Sequence, residues 1–304
     1  MPQLALLLTT FVWGATFPAT KAALEQITPL SFLFLRFLLG MLVVFAVLFV
    51  LRRTLTRDAA MLRMSFIASL WLFLGYVLQT VGLHLTTASN SAFITVLYVV
   101  FVPLYLRRLS AHTWVSNGIA LIGLWFLVKP TASANLGDLL TLGSAAAFAA
   151  HMVCLEHYTR TTDAVSLFAW QLVMMTVAML GAMWWEQPTA IMFEPSRVLL
   201  LGLGVTGILA TGAFAVQMWA QQLLPAQQVA LLFAVEPAIA LSLVLLGALL
   251  AARSAWPAAA MTAVAALFAL FHGAAHGAEL RGLQALAGMV LATALLHARS
   301  EEHT

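Results

Sequence analysis

Charged residues are scarce in this chain. They make up 8% of its 304 residues, whereas 63% of the residues are hydrophobic. A soluble domain usually carries about 25% charged residues, because its surface has to face water. The scarcity of charge therefore excludes a water-soluble globular protein. The formal net charge of +3 comes from basic residues in short segments between apolar runs, so we do not expect a nucleic-acid partner.

Cysteine is nearly absent as well. The single cysteine, Cys154, lies inside an apolar run, so the chain has no disulfide framework of its own. The sequence also lacks a glycine-rich nucleotide-binding loop before a helix, which argues against transport driven by ATP. No His–Ser pair or carboxylate pair stands out as a catalytic site. We therefore predict a protein that is not an enzyme and that uses no cofactor.

Long apolar runs are what the chain has in abundance. A helix needs about 20 apolar residues to cross the roughly 30 Å hydrocarbon core of a bilayer, and in lipid the backbone groups must pair within the helix. The runs predict an all-α polytopic membrane protein with ten or eleven transmembrane helices. These lie near 3–22, 29–51, 63–83, 88–106, 112–129, 137–157, 164–185, 197–219, 226–250, 256–276 and 280–298.

Basic residues are distributed unevenly over the short loops. Across the first eight predicted spans, one side of the membrane receives only Lys21, Lys129 and Arg197. Because basic residues favour the cytoplasmic side, the other side is predicted to be cytoplasmic. This places the N-terminus in the cytoplasm and the protein in a bacterial inner membrane. The loops on the predicted cytoplasmic side hold Arg52, Arg53, Arg57, Arg63, Arg107, Arg108 and Arg160.

Two distant passages of the sequence resemble each other. Residues 76–93 read YVLQTVGLHLTTASNSAF, and residues 214–231 read FAVQMWAQQLLPAQQVAL. Each is an apolar run that keeps one glutamine, reaches a short polar break and then resumes. The second passage follows the first by 138 residues (from position 76 to position 214), a distance that we call the repeat offset. One repeat offset contains five predicted spans. Because five is odd, a second copy would be inverted in the membrane. Chance similarity between apolar helices is the alternative explanation.

A weaker similarity, between PLSFLFLRFLLG (29–40) and AVSLFAWQLVMM (164–175), aligns Ser31 with Ser166 and Arg36 with Gln171. Inverted repeats are a common plan of secondary transporters, with the substrate site near the midplane between the repeats. We therefore predict two inverted five-helix repeats. The first covers 1–129, the second starts with 137–250, and 251–304 forms an atypical C-terminal segment.

Polar side chains inside the apolar spans are candidates for function, because burying them in lipid is unfavourable. Glu236 lies near the middle of its span. It is either a proton-titrating group or cation contact, or a structural carboxyl bonded to another helix. Arg36 either binds a substrate carboxylate or extends to the lipid headgroups. The substrate-binding candidates are Arg36, Gln79, Ser91, Thr95, Tyr98, His151, Gln217, Gln221 and Glu236.

Several of these candidates share a helix face. Ser91, Thr95 and Tyr98 follow the i, i+4, i+7 spacing, and Gln217 and Gln221 follow the i, i+4 spacing. These faces either line a polar pathway or form hydrogen bonds between helices, each worth about 1 kcal/mol or less. His151 lies in the middle of its span and is either a pH-responsive group or a hydrogen-bonded structural residue.

Four segments resemble the EamA-type branch of the drug/metabolite transporter superfamily. They are FVWGATFPATKAAL (11–24), FLRFLLG (34–40), QTVGLHLTTASNSAFITVLYVVFVPL (79–104) and ALLFAVEPAIA (230–240). The resemblance covers roughly residues 1–245. It implies ten helices in two inverted five-helix repeats, with both termini in the cytoplasm. It also implies export of amino acids, other metabolites or toxic compounds.

The C-terminal segment departs from that family after LLGALLAARSAWP (245–257). The stretches LFALFHGAAHGAEL (267–280) and AGMVLATALLHA (287–298) resemble the end of the HupE/UreJ family of nickel-associated membrane proteins. His272, His276 and Glu279 follow the i, i+4, i+7 spacing, and their donor atoms suit nickel or zinc. The histidine–aspartate motif of that family has no match in this chain, so we favour an incomplete metal site.

The sequence thus predicts a secondary active transporter that exports small metabolites such as amino acids. Transport would occur by alternating access about a midplane cavity, and Glu236 is the candidate for proton coupling. Its partners would be a small-molecule substrate and the lipid bilayer. The alternative is a nickel or other metal permease, or a metal-accessory membrane protein.

Overall fold

The computed structural model describes residues 2–108, 110–111, 113–115, 117–118, 121–122, 135–186, 190–192 and 195–234. The chain divides into two units, Met1–Leu245 and Leu246–Thr304. All the described residues belong to the first unit, and the second lies outside them. Within the described residues the fold is all-helical and contains no strand.

Ten α-helices are bounded in the described part of the chain. They are α1 (Pro2–Ala23), α2 (Pro29–Val50), α3 (Ala59–Leu85), α4 (Ala88–Thr95), α5 (Tyr98–Tyr105), α6 (Leu136–Thr161), α7 (Ala164–Glu186), α8 (Arg197–Leu203), α9 (Ala210–Leu223) and α10 (Ala226–Phe233). A 3₁₀ turn covers Ala190–Met192, and a π-helical segment, Gly204–Leu209, joins α8 to α9. The described residues between 111 and 122 are helical too.

Six helical stretches of the described chain are long and apolar enough to cross a membrane, which makes this an integral membrane protein. The helix α1 is not among the six, because its threonines and Lys21 make it less apolar. The stretches are Pro29–Val50, Ala59–Leu85, Ala88–Tyr105, Leu136–Thr161, Ala164–Glu186 and Arg197–Leu223.

Local sequence signals start several of these helices. Pro29 occupies the first turn of α2, where its missing N–H is not needed. The Asp58 carboxylate accepts a 2.7 Å hydrogen bond from the Met61 N–H and caps α3. Asn135 and Asp138 form a reciprocal capping box at the start of α6. The breaks between apolar runs are therefore genuine helix ends.

The predicted span 88–106 is not one continuous helix. It is interrupted at Val96 and Leu97, which separate α4 from α5. Pro103 removes a backbone donor inside α5, and this leaves the Val99 carbonyl without its usual helical partner. The Asn117 side-chain amide donates a 2.7 Å hydrogen bond to that carbonyl. A discontinuous helix therefore stands inside the bundle, with its free backbone oxygen paired by protein.

Helix boundaries recur at the repeat offset seen in the sequence. The helix α3 and the stretch α8–α9 start at Ala59 and Arg197, and each is 27 residues long. The short helices α4 and α10 follow at the same offset, with 8 residues each. The N-terminal caps of these two stretches recur as well. Ser196 accepts a 3.1 Å hydrogen bond from the Leu199 N–H at the start of α8, and Asp58 accepts the equivalent bond from the Met61 N–H at the start of α3.

Contacts at the helix ends define two opposite faces of the described unit. At the first, which we call the Lys21 face, α1 and α3 end and α6 begins. The Thr86 hydroxyl there donates a 2.6 Å hydrogen bond to Asp138. At the second, the Glu156 face, α6 and α9 end and α10 begins, and Arg53 pairs with Asp163 at 3.1 Å.

Candidate functional site

A small cavity lies inside the bundle, bounded by α1, α3, α4, α5, α6, α9 and α10. Its volume is about 40 Å³, which leaves room for only a few water molecules. A metabolite therefore fits only after the lining helices move apart. Among the described residues, no charged side chain lines this cavity. The polar predicted site residues that line it are Gln79, Thr95, Tyr98, His151 and Gln217.

The amide and imidazole groups of the lining are held by neighbouring side chains. Gln79 donates a 3.2 Å hydrogen bond to the Thr95 hydroxyl. One ring nitrogen of His151 lies 3.0 Å from the Gln171 amide oxygen. Gln171 is fully buried on α7. These bonds fix the orientation of polar groups that face the cavity from α3 and α6.

Gln221 supports the cavity from behind. Gln217 donates to the Gln221 amide oxygen at 3.1 Å, and Gln221 donates to the Met152 carbonyl at 2.9 Å. Gln221 does not line the cavity but is fully buried on α9. The predicted pair on α9 thus divides into one lining residue and one residue that positions it.

Arg36 lies behind the cavity wall. Its side chain is 6% exposed, so it does not extend to the headgroups, one of the two alternatives left open by the sequence. The guanidinium carbon lies 4.5 Å from the centre of the Tyr76 ring, and Nη2 is 3.5 Å from the Tyr76 hydroxyl. A cation stacked on an aromatic face is stabilised by the ring quadrupole. Tyr76 itself lines the cavity and separates it from Arg36.

The other predicted site residues lie elsewhere. Ser91 is fully buried, with its hydroxyl 3.5 Å from that of Thr141 on α6, and it does not line the cavity. Ser91 thus contacts α6, whereas Thr95 and Tyr98 line the cavity, so the three residues do not form one polar surface. Glu236 and the metal candidates His272, His276 and Glu279 fall outside the described residues. Within the described ranges, no group of three or more metal-ligating side chains occurs.

Aromatic side chains complete the lining, and sequence reasoning did not select them. Among them is Trp13. Its indole nitrogen is buried, with no hydrogen-bond partner among the described residues. An unpaired donor at a cavity is unfavourable unless a ligand or water accepts from it. The aromatic lining residues are Trp13, Tyr76, Phe148, Phe214 and Phe233.

The repeat offset was the signal that would have found several of these aromatic residues. Residues separated by this offset in the sequence line the same cavity, so each half of the chain contributes a matching set. The lining pairs at this offset are Trp13 with His151, Tyr76 with Phe214, Gln79 with Gln217, and Thr95 with Phe233.

A second and larger space opens at the Lys21 face. This vestibule has a volume of about 730 Å³ and is lined by the ends of α1 and α3 and the starts of α4 and α6. Its polar groups come from Lys21, Glu25, Thr86, Thr87, Asn90 and Asn135. The helix α4 reaches from the vestibule, at Asn90, to the central cavity, at Thr95. It therefore forms a wall between the two spaces.

Comparisons with family models identify two families in different parts of the chain. The model of the EamA-like transporter family matches residues 1–129. The model of the HupE / UreJ protein matches residues 169–301, which extends well before the tail motifs at 267–298.

Individual proteins show the same relationship over a longer part of the chain. An "Uncharacterized transporter" of Archaeoglobus fulgidus is 31% identical over 240 residues, which is 77% of this chain and 74% of that protein. "Uncharacterized transporter YoaV" of Bacillus subtilis is 25% identical over 253 residues, or 79% and 86% of the two chains.

A solved structure described only as "Crystal structure of protein" has a similar fold. Its TM-score is 0.64 at 17% identity, over 92% of this chain and 99% of that one. The transporter relatives and the N-terminal family match agree with a helical membrane protein that is not an enzyme. The chain belongs to the EamA-like transporter family.

Proposed function

We propose that the chain is a secondary active transporter that exports small metabolites such as amino acids. Substrate would bind in the central cavity, and transport would occur by alternating access of that cavity to the two sides of the membrane. The observation that supports this proposal is the composition of the cavity lining. Both halves of the chain contribute lining residues from equivalent positions, separated in sequence by the repeat offset. Secondary transporters commonly place the substrate site between two repeats.

The architecture that we propose is two inverted five-helix repeats, 1–129 and one that starts with 137–250, followed by the atypical segment 251–304. Support comes from the helix ends. At the Lys21 face α1 ends, whereas its proposed counterpart α6 begins there. The helix α3 also ends at the Lys21 face, whereas α9 ends at the Glu156 face, where Ala226 bonds to Glu156.

The chemistry of the lining favours a substrate with an apolar part and hydrogen-bonding groups. Aromatic rings and amides surround the cavity, and the Trp13 N–H is available to an acceptor. Arg36 would pair with a substrate carboxylate once Tyr76 moves aside, since guanidinium and carboxylate form two parallel hydrogen bonds. Glu236 remains the candidate for proton coupling.

The proposal is tested by counterflow of labelled amino acids into proteoliposomes that contain the full-length protein. We expect accumulation above that of protein-free liposomes. In proteoliposomes without preloaded substrate, net uptake should depend on an imposed proton gradient. Gln217→Ala and Gln79→Ala should each lower the initial rate by about tenfold, because each removes a polar group that faces the substrate.

Gln26→Ala is the matched control. Gln26 is exposed between α1 and α2, accepts a hydrogen bond from the Ser196 hydroxyl and does not line the cavity, so its loss should leave the rate unchanged. Equal loss of transport in all three glutamine variants would contradict a specific role for the cavity. No accumulation of any amino acid or related metabolite would overturn the proposed substrate class.

The HupE/UreJ match over 169–301 supports a second candidate, a nickel permease or nickel-accessory membrane protein. Nickel flux in the same proteoliposomes, and nickel binding at equilibrium, distinguish the two candidates. Nickel binding that disappears in a His272→Ala, His276→Ala double variant, without organic flux, would favour the metal function.

A further inference from the structure

Two chain corners occupy matching places in the two halves of the described unit. The first corner joins α3 to α4 through Thr86 and Thr87, at the Lys21 face. The second joins α9 to α10 through Leu224 and Pro225, one repeat offset later, at the Glu156 face. In each case a charged side chain from the first helix of the same half binds the corner.

Lys21, near the end of α1, binds the first corner. Its ammonium group donates to the carbonyl oxygens of Leu83 at 2.8 Å, His84 at 3.0 Å and Thr86 at 2.7 Å. An ammonium group has three donors, so these bonds use all of them. The carbonyls at a helix C-terminus lack partners within the helix and carry partial negative charge. A cation is therefore the matching group for this corner.

Glu156, on α6, binds the second corner. One of its carboxylate oxygens accepts a 2.8 Å hydrogen bond from the Ala226 N–H, at the first residue of α10. Its other oxygen lies 3.9 Å from Arg108 and 3.6 Å from Arg160. The positive end of a helix favours an anion. Lys21 therefore places a positive charge at the C-terminal end of α3, whereas Glu156 places a negative charge at the N-terminal end of α10.

The start of α10 needs an acceptor from another helix because the residue before it, Pro225, has no side chain that can cap it. In the first half, the Thr87 hydroxyl accepts a 3.1 Å hydrogen bond from the Asn90 N–H and caps α4. The residue that matches Thr87 at the repeat offset is Pro225, and α10 has no side-chain cap of its own. Glu156 is only 9% exposed and supplies the acceptor that the proline lacks.

Both short helices separate the cavity from one face. The helix α4 runs from the vestibule at the Lys21 face to Thr95 in the cavity wall. The helix α10 begins at the Glu156 face and reaches the cavity at Phe233. Its Ala226, Val229 and Ala230 pack in one apolar cluster with Leu6 and Val102. Movement of either helix would open the cavity toward the face at which that helix begins.

We propose that Lys21 and Glu156 are a matched pair of latches, each holding the corner at which one of the two short helices begins: Lys21 holds the end of α3 and Thr86, before α4, and Glu156 holds Ala226, at the start of α10. Both contacts are made in this structure, and the cavity has room for only a few water molecules. Release of Lys21 frees α4 and opens the cavity to the Lys21 face. Release of Glu156 frees α10 and opens it to the Glu156 face.

This inference rests on the proposed alternating access but not on any particular substrate. It is tested by labelling one cysteine in the cavity wall, Thr16→Cys, in the full chain that carries Cys154→Ala. A membrane-impermeant maleimide is applied to sealed vesicles of either orientation. The measured quantity is the ratio of labelling rates from the two faces. Cysteines placed at Gln26 and Thr54, which are exposed at the Lys21 and Glu156 faces, identify the face presented.

Lys21→Met should shift the labelling ratio toward the Lys21 face, and Glu156→Gln should shift it toward the Glu156 face. We expect each shift to be about tenfold, the effect of one charge-assisted hydrogen bond. The double variant should return the ratio toward that of the parent. A merely structural role would not produce shifts of opposite direction.

Glu186→Gln is the matched control. Glu186 also accepts a 2.8 Å hydrogen bond from a backbone N–H at a helix start, that of Leu30, but it touches neither corner. It should leave the ratio unchanged. Lys21→Gln and Glu156→Ala provide a second pair should either first variant fail to elute as a folded monodisperse protein.

Shifts in the same direction, or ratios within twofold of the parent in both pairs, would overturn the latches. Flux on the same preparations separates the two hypotheses. Opposite shifts without flux of any amino acid would leave the latches supported and the substrate class rejected. Flux without shifts would reject the latches alone.

Discussion

Two tryptophans differ in whether the indole nitrogen finds a partner. Trp170, on α7, donates a 2.8 Å hydrogen bond to the Thr56 carbonyl beside the Glu156 face. Trp13 lines the central cavity, and its buried nitrogen has no partner among the described residues. The same side chain therefore stabilises a loop at one position and offers a donor to a ligand at the other. We therefore expect Trp13 to affect substrate affinity and Trp170 to affect the free energy of unfolding.

Replacing each tryptophan with phenylalanine should give opposite results. Trp13→Phe removes an unpaired donor, so we expect unchanged or higher thermal stability. Its apparent substrate affinity should fall about fivefold, the effect of one net hydrogen bond of ~1 kcal/mol. Trp170→Phe should lower the free energy of unfolding by ~1 kcal/mol without changing affinity. Proteoliposome flux and thermal unfolding in detergent measure both effects, and weaker affinity in Trp170→Phe alone would reject this assignment.

At the scale of elements, α3 and α6 approach closely at Gly82 and Gly137, two residues without side chains. A Cβ atom added to Gly82 would lie 2.7 Å from the Gly137 carbonyl and 2.7 Å from the Thr141 hydroxyl. Such distances are far below van der Waals contact, and backbone has to move to relieve them. Small residues at helix interfaces of this kind permit close packing in membranes.

Gly82→Ala should therefore destabilise the protein by roughly 1–3 kcal/mol. Gly181, in the interior of α7, is the matched control because an added Cβ would meet nothing within 4 Å. Gly181→Ala should stabilise the helix by up to about 1 kcal/mol, since alanine has the higher helix propensity. Thermal unfolding of both variants tests the pair, and equal melting temperatures for the two would contradict close packing of α3 on α6.

The link between α2 and α7 at the Glu156 face depends on Asp163. Its partial burial opposes ionisation. The Ser166 hydroxyl and N–H, together with Arg53, more than offset this and hold the Asp163 pKa below its usual value of 3.8. A depressed carboxyl pKa contributes stability that is fully present above the unfolded pKa. That stability is lost as the pH falls through the folded pKa.

Asp163→Asn should lower the melting temperature at neutral pH, because it removes the charge that Arg53 and Ser166 stabilise. The difference from the parent should shrink as the pH falls below about 4. Melting temperatures of both proteins from pH 7 downward measure this effect. A difference that grows on acidification would have the wrong sign for a depressed pKa.

At the scale of the described unit, basic residues are distributed unevenly between its two faces. The seven arginines of the predicted cytoplasmic loops lie at or near the Glu156 face, where α1 also begins. The described part of the Lys21 face carries Lys21 and Arg197. Because basic residues are retained in the cytoplasm, this distribution favours an orientation with the Glu156 face inside. Export would then proceed from the Glu156 face to the Lys21 face.

Fusions of alkaline phosphatase, which forms its disulfides only outside the cytoplasm, test this orientation. A fusion after Gln26 should be active, and one after Thr54 should be inactive. A fusion of a fluorescent protein that folds in the cytoplasm should give the reverse pattern at the same two sites. Active phosphatase after Thr54 would invert the proposed direction of export.

Sequence reasoning found much of the candidate site because polar residues are rare inside apolar spans. Gln79, His151 and Gln217 were selected for that reason, and they face one cavity. Trp13 and Phe214 were not selected, since an aromatic residue in an apolar run carries no such signal. Lys21 had been interpreted only as a loop charge, because its three carbonyl partners come from the distant end of α3 and the corner after it.

The sequence alone determined that the chain spans a membrane as helices, because its composition leaves no other way to satisfy both side chains and backbone. It also determined where three of the helices start, through Pro29, Asp58 and Asn135. Tertiary structure alone decided that a turn divides the predicted span 88–106 into α4 and α5, and that Arg36 stacks on Tyr76. It also decided that Lys21 and Glu156 bind chain corners at the two opposite faces. Periodicity and composition are local properties, whereas these contacts depend on which helices become neighbours in the folded bundle.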